Sequence, residues 1–433
     1  QLLKRHTVFG FPAHLVLGPE VREVKNRLWE QRTGKIPATA EPNRLPPTDA
    51  SRPTIVFVML DALRRDALGV YGGREELMPE LSAIARQSVV FSDVLVNATW
   101  TRPSIASMFT GMYQEYHGAV GRGDALHSDV ETLAERLVHR GFKTAAFVTN
   151  WGAVGKDAGF DRGFETFSEM RSDTDPYLRA DGVTDEVLRW IRDTASMDDE
   201  EPRPLFLYIH YLDPHIPYLS GGADSTVFST ARRAYDNELG FLDEHVAALL
   251  RSLADEIPGP VVTIVAADHG EEFGEHGQKG HGYTLYEEVA RVPVFVSVPA
   301  GTSGTVDARL EGRDLFDLIL SASVDEDFDP VAWARPRDRA QRYTSEYLGS
   351  DVPFYRLQYR DIAMRGVERD GLFVIWSALG PTIEAYDRRT DPLERRNIAT
   401  EIDLRYSDVI GDLDLLTPAP WADREGISLS AST

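Results

Sequence analysis

The chain of 433 residues has no cysteine, which excludes disulfides, thiolate nucleophiles and cysteine-ligated zinc together. No stretch reaches the roughly 20 consecutive apolar residues that a membrane-spanning helix needs. Positive charge is scarce: 46 Lys and Arg stand against 69 Asp and Glu, a net charge of −23, which excludes a nucleic-acid partner. The acidic excess suits a solvated surface and a setting outside the cytoplasm. What remains is globular in balance, 42% hydrophobic and 27% charged, and long enough for a large domain with a smaller one beside it.

Residues 1–52 read as an extension, with the proline-rich "GKIPATAEPNRLPPTDASRP" as a linker or strap. Because the chain starts at Gln1 rather than Met, this extension is expected to follow a signal or membrane anchor. From residue 53 the punctuation is α/β. "TIVFVML" (54–60), "VVFSDVLV" (89–96), "KTAAFVTN" (143–150), "PLFLYIHYL" (204–212), "VVTIVAA" (261–267) and "VPVFVSVP" (292–299) are apolar runs of the kind buried on both faces of a sheet. Helical patterns at 78–88, 131–141 and 231–256 alternate with them, so the expected fold is a large mixed, mostly parallel sheet between helices. After "GRDLFDLILSAS" the segments shorten and mix, as in "DGLFVIWSA" and "TIEAYDRR". The expected domains are therefore 53–335, catalytic, and 336–433, a small antiparallel C-terminal subdomain.

Ligands of such sheets bind beyond the carboxyl ends of the strands. Asp61 follows "TIVFVML", Asp268 and His269 follow "VVTIVAA", and Asp213 and His215 follow the run at 204–212. Thr101 follows another strand, and Pro103 marks a helix start just after it. Asp61, Thr101, Asp268 and His269 make an oxygen-rich shell with one nitrogen for a divalent cation. A lone Asp after a strand is more often a cap. "DHGEEFGEHGQKGHG" (268–282) is harder to dismiss, with three histidines and four acids among five glycines.

These segments resemble the sulfatases of the alkaline phosphatase superfamily. "VFVMLDALRRDALGVYGG" is similar to their opening strand and loop, and "TRPSIASMFTG" to the signature of nucleophile, any residue, proline and serine. "HYLDPHIPY" resembles the family's histidine-bearing loop and "ADHGEEFGEHG" its second metal loop. "GHGYTLYEEVARVPVFV" is similar to the stretch that brings a cationic residue to substrate, and "EAYDRRTDPLERRNIA" to the C-terminal signature. The resemblance runs in order over residues 53–400 and implies the same two-part fold.

The departures redirect the chemistry. Sulfatases oxidise a cysteine or serine to formylglycine, and threonine cannot yield that aldehyde; the position is Thr101. The supporting arginine of the signature is Ile105, and the second acid of the first metal loop is Ala62. A threonine on a metal is what the phosphoryl-transferring relatives use, so the resemblance implies phosphoester chemistry through Thr101 with one divalent cation: manganese, zinc, calcium or magnesium. It implies His215 and His281 as contacts to the transferred group and leaving oxygen, with Lys279 a rival to His281. His210 reads as core or support for the ligands and His276 as loop structure; Arg102 either touches substrate or caps a surface. The sequon at Asn97 lies in the approach to the site and is discounted. Asp213 and His215, only two apart, are a poor basis for a second metal. The expected substrate is a small-molecule or lipid- or glycan-linked phosphoester, most readily a phosphodiester. Two alternatives stand beside it: a sulfatase that works without formylglycine, and a non-catalytic binding module that keeps its partner when Asp268 is replaced.

Overall fold

The computed structural model describes residues 52–195, 203–219, 231–324, 327–334, 362–377 and 382–402, with the backbone of short strands at 7–8, 11–12, 341–347 and 428–429. The linker stretch at 34–53, apart from its last two residues, and the junction at 335 lie outside the described residues.

Eight strands make the main sheet: β1 (Thr54–Leu60), β2 (Val89–Leu95), β3 (Lys143–Val148), β4 (Thr166–Glu169), β5 (Leu205–Tyr211), β6 (Val261–Ala266), β7 (Val294–Ser297) and β8 (Gly304–Glu311), in the spatial order β8-β2-β7-β6-β1-β5-β3-β4. All neighbours are parallel except β7, which runs antiparallel to both β2 and β6. The six apolar runs all became strands, because only a position covered on both faces can bury an uninterrupted apolar segment. All seven residues of β1, at the centre, are buried. β8 was not recognised in the sequence: it is an edge strand whose first four residues are largely open to water, so it lacks the apolar signal.

The helices that matter here are α1 (Pro79–Arg86), α2 (Thr101–Thr110), α3 (Leu133–His139), α4 (Ala180–Ala195), α5 (Ala231–Glu256) and α6 (Asp314–Ala322). α3 starts with a reciprocal capping box between Thr132 and Glu135. α2 has no exposed face; all ten of its residues are buried. It ends at Gly111, whose left-handed backbone (φ 68°) lets its amide close onto the Ser107 carbonyl at 2.9 Å.

A second sheet takes β9 (Gln341–Tyr347), β10 (Ile362–Arg369), β11 (Leu372–Ser377), β12 (Thr382–Asp387) and β13 (Ser428–Leu429) in sequential order. Its first three pairings are antiparallel and the last is parallel. Phe373, Ile375 and Tyr386 of this sheet share a buried cluster with Leu95, Leu285 and Ala290, which seats the small sheet against the segment that follows the 268–282 loop.

Candidate active site at the strand ends

Asp61 leaves β1 fully buried, its amide held by the Tyr211 carbonyl at 3.0 Å. The next residue, Ala62, sits in the left-handed region (φ 61°), a strain of about 1–3 kcal/mol that a non-glycine residue tolerates only where its surroundings impose it. Here the Ala62 amide donates to Asp268 Oδ1 (3.1 Å) and its carbonyl accepts from the Tyr235 hydroxyl (3.1 Å). Asp268 and His269 follow β6, and Asp268 Oδ1 also takes the His269 amide at 2.9 Å. Gly270 is the residue that lets this loop pack: a Cβ there would lie 2.0 Å from the Glu288 carbonyl oxygen. Thr101 is the first residue of α2, and Ser104 one turn on ties the helix to the loop by donating to the Asp268 carbonyl (2.6 Å).

These elements bring Asp61, Thr101, Asp268 and His269 to one point. Thr101 Oγ1 is 3.4 Å from Asp61 Oδ2 and 3.3 Å from His269 Nε2. His269 Nε2 lies 3.6 Å from Asp61 Oδ1 and 3.4 Å from Asp268 Oδ2. Burial acts to raise the Asp61 carboxyl, but the imidazoles of His215, His210 and His269 outweigh it and hold it well below the usual range. Burial, and then the charge of Asp61, push Asp268 up, and burial pushes His269 down.

A divalent cation fits this donor set. Asp61 Oδ1 and Asp268 Oδ2 are buried without a hydrogen-bond partner, a costly state for two carboxylate oxygens that a cation would relieve. His269 Nδ1 faces the Gly270 carbonyl at 2.8 Å, and since a carbonyl only accepts, Nδ1 carries the proton and the Nε2 lone pair points at the carboxylates. His210, buried within β5, reaches the same place: its Nε2 is 3.2 Å from Asp61 Oδ2, and ligand atoms of Asp61, His210 and Asp268 lie within 4.8 Å of one another.

His215 and His281 stand beside the cluster. The His281 ring is 4.2 Å from that of His269 and 4.8 Å from that of His215. Burial, and then His215, push His281 down to about 3. Its Nδ1 meets Glu271 Oε1 at 3.0 Å, and Glu271 Oε2 accepts from the Tyr218 hydroxyl at 3.1 Å. His215 Nδ1 faces the Ile216 carbonyl at 2.6 Å, and since a carbonyl only accepts, Nδ1 carries the proton. Lys279 is exposed on a two-residue ladder with Phe273, so His281 rather than Lys279 reaches the cluster.

Arg102 points elsewhere. It is buried and donates to the carbonyls of Gly121, Arg122, Asp124, Gly152 and Ala153, tying the 121–124 loop and the short helix Trp151–Val154 to α2. Asn97 is buried, with its side-chain oxygen on the Arg313 amide (2.8 Å), which leaves no room for a glycan. His276 links the hairpin after His269 to the Leu393 and Glu394 carbonyls. Asp213 serves the fold: its Oδ1 accepts from the Ala180 amide at the start of α4 (3.1 Å).

Asn150 escaped the sequence reading. Its Nδ2 donates to Asp61 Oδ2 (2.8 Å) and lies 3.4 Å from Thr101 Oγ1. It stands just past the end of β3, so the rule that found the acids marks its position too; an amide simply lacks the chemical signature of a ligand.

The sulfatase family profile matches residues 53–323, well over half of the chain. The chain belongs to the sulfatase family. The uncharacterized sulfatase YidJ of Escherichia coli is 21% identical over 83% of this chain and 85% of its own. The structure of BT4656 with its substrate D-glucosamine-2-N,6-O-disulfate superposes with a TM-score of 0.66 at 17% identity, covering 86% of this chain and 99% of that one. The phosphonate monoester hydrolase of Agrobacterium radiobacter gives a TM-score of 0.63 at 17% identity, over 84% and 95%. The sulfatase fold thus houses the strand-end cluster. Among the described residues, no helix of this sulfatase-family chain is long and apolar enough to cross a membrane.

Proposed function

We propose that this chain is a metal-dependent phosphoester hydrolase or phosphotransferase that works through a covalent phosphothreonine at Thr101, most readily on a phosphodiester or related ester. The observation that carries the reading is the placement of a threonine hydroxyl, 2% exposed at the first residue of a buried helix, against Asp61, His269 and Asn150 in a chain without cysteine. The helix N-terminus favours a bound anion beside that hydroxyl.

Asp61, Asp268, His269 and Thr101 would hold the divalent cation, with His210 behind Asp61. When bound, such an ion lowers the pKa of a ligated hydroxyl and offsets charge on the phosphoryl oxygens. In the first half-reaction the Thr101 hydroxyl gives up its proton as Oγ1 bonds to phosphorus and the ester P–O bond breaks, and that proton ends on the departing alkoxide. His215 and His281 flank the place where that group leaves, and His281, kept neutral by burial and oriented through Glu271, is set to hydrogen-bond the acceptor in the second half. Water or an alcohol then attacks phosphorus, its proton passes to Thr101 Oγ1 as the P–Oγ1 bond breaks, and Thr101 departs with its hydroxyl restored. The phosphonate monoester hydrolase with the same fold supports this reading. The relatives named as sulfatases favour a second one, sulfate-ester cleavage through the unmodified threonine. The substrate would be a small molecule or a lipid- or glycan-linked ester met outside the cytoplasm, in keeping with the net charge of −23.

The test is a panel of nitrophenyl phosphate, bis-nitrophenyl phosphate, a phosphonate monoester and nitrophenyl sulfate, on metal-stripped protein with manganese, zinc, calcium or magnesium restored. Turnover of a phosphorus ester is expected, falling by about two orders of magnitude or more in Thr101→Ala and surviving in part in Thr101→Ser. Rapid acid quench should trap phosphate on Thr101. Near-native turnover in Thr101→Ala, or activity on the sulfate alone, would overturn the assignment.

A further inference from the structure

Beyond the strand-end cluster, the hairpin after His269 gathers a second set of ligand-type side chains. Glu272 and Phe273 pair with Lys279 and Gly280, and His276 lies in the turn between them. Glu288 reaches in from the short helix Glu287–Ala290. Ligand atoms of Glu272, His276 and Glu288 all lie within 4.8 Å of one another.

Two features of this cluster ask for a positive ion. The first is the tautomer of His276. Its Nε2 lies 3.2 and 3.3 Å from the carbonyl oxygens of Leu393 and Glu394, which only accept, so Nε2 carries a proton. Nδ1 then faces Glu288 Oε1 at 2.7 Å, where either a second proton or a cation must sit between nitrogen and carboxylate. The second is Glu272, which is 1% exposed. One of its oxygens accepts from the Thr284 hydroxyl (2.7 Å), while Oε1 is buried with no hydrogen-bond partner. A buried carboxylate oxygen without a donor is costly, and a cation shared with His276 and Glu288 removes that cost.

The cluster is also reachable. A cavity of about 320 Å³ is lined by His276 and Glu288 and gives an ion and its waters a way in. Two of the arginines that line it are already matched: Arg64 by Asp66 and Glu275, and Arg291 by Glu287 and Asp93.

We propose that Glu272, His276 and Glu288 form a second divalent-cation site, separate from the strand-end centre, with water from the cavity completing its coordination. Two carboxylates and one imidazole suit a first-row ion such as zinc or manganese. Its position is structural in character. The ion would join the hairpin to the helix at 287–290, while Nε2 of the same histidine holds the 393–394 segment of the small subdomain.

The experiment counts cations. The whole chain is stripped with chelator, loaded with zinc or with manganese, dialysed and analysed for metal, alongside His276→Gln, Glu288→Gln and Asp61→Asn. Wild type is expected to keep two equivalents, His276→Gln and Glu288→Gln one each, and Asp61→Asn one. Melting temperature should rise on loading in Asp61→Asn but not in Asp61→Asn combined with His276→Gln. One equivalent in wild type that survives in both His276→Gln and Glu288→Gln overturns the second site, as does no retention at all. One equivalent that disappears in His276→Gln and Glu288→Gln yet survives in Asp61→Asn upholds it and instead overturns the cation assigned to the strand ends. If Asp61→Asn fails to fold, the comparison of wild type with the two hairpin variants decides alone.

Discussion

Asn150 shows what a single side chain adds to ligands chosen for their charge. Its amide holds Asp61 Oδ2 and faces the Thr101 hydroxyl, so it sets the direction of one carboxylate and restrains that hydroxyl. Groups that orient metal ligands in this way are worth about ten- to a hundredfold in affinity or turnover. Asn150→Ala is therefore expected to weaken cation binding or turnover by about that factor, with only a small change in melting temperature. Metal titration and kinetics on the same preparation read both, and an unchanged pair of constants would remove Asn150 from the site. Arg102 makes the opposite point. A cation on the residue next to Thr101 looks like a substrate contact, yet its guanidinium is occupied by backbone carbonyls of the 121–124 loop and of the short helix Trp151–Val154. Position in a motif did not reveal that, because those carbonyls carry no sequence signal.

The elements that deliver the site are held by backbone proximity more than by side-chain chemistry. The loop after β6 runs so close to the segment at 287–290 that Gly270 donates to the Val289 carbonyl at 2.9 Å. Adding a methyl at Gly270 forces one backbone away from the other, since the Cβ would meet the Glu288 carbonyl oxygen at 2.0 Å. Gly270→Ala is expected to destabilise the fold by about 1–3 kcal/mol and to lower cation retention by displacing Asp268 and His269. Gly240, on the exposed face of α5, is the control: a Cβ there meets nothing within 4 Å. Gly240→Ala should stabilise by about 0.4–1 kcal/mol through the unfolded chain. Denaturant unfolding of the two variants should move in opposite directions; equal shifts would mean that the loop is not held by this contact.

At the scale of the whole molecule, a chain of ion pairs fastens the small sheet to the large one. Arg291 pairs with Asp93 on β2 and approaches Glu368 on β10 at 3.4 Å. Glu368 also pairs with Arg388, and Arg388 pairs with Glu394, whose Oε2 takes the Glu287 amide at 3.0 Å. Removing Arg388 takes from the buried carboxyls of Glu368 and Glu394 the guanidinium that both pair with, so Arg388→Met should cost about 3–5 kcal/mol. Burial acts to raise the Glu368 carboxyl, but Arg388 and then Arg291 hold it below the usual 4.5. Its stabilisation is thus present above about pH 4.5 and lost as pH falls through its lowered folded value. Burial pushes Glu394 up to about 7, so its contribution has the opposite sign, declining as pH rises from about 4.5 to 7. Unfolding free energies measured from pH 3 to 8 should show the acid loss in wild type and a shallower one in Glu368→Gln; parallel curves would show that Glu368 is not the group responsible.

The main sheet was legible because six apolar runs, long enough for strands and too short for membrane helices, have few other ways to leave water. Their carboxyl ends point to Asp61, Asp268 and His269, and the absence of cysteine leaves the hydroxyl of Thr101 at the signature position. The reversed direction of β7 could not be read, since a four-residue apolar strand looks the same in either direction. Nor could Asn150 beside Asp61, 89 positions away, or the Tyr218–Glu271–His281 chain, whose first two members are 53 apart. Local sequence determines what each segment must bury. Which polar groups then face one another is decided only when distant segments pack, because hydrogen bonds and ion pairs act over a few ångströms and depend on where the packed backbone places their atoms.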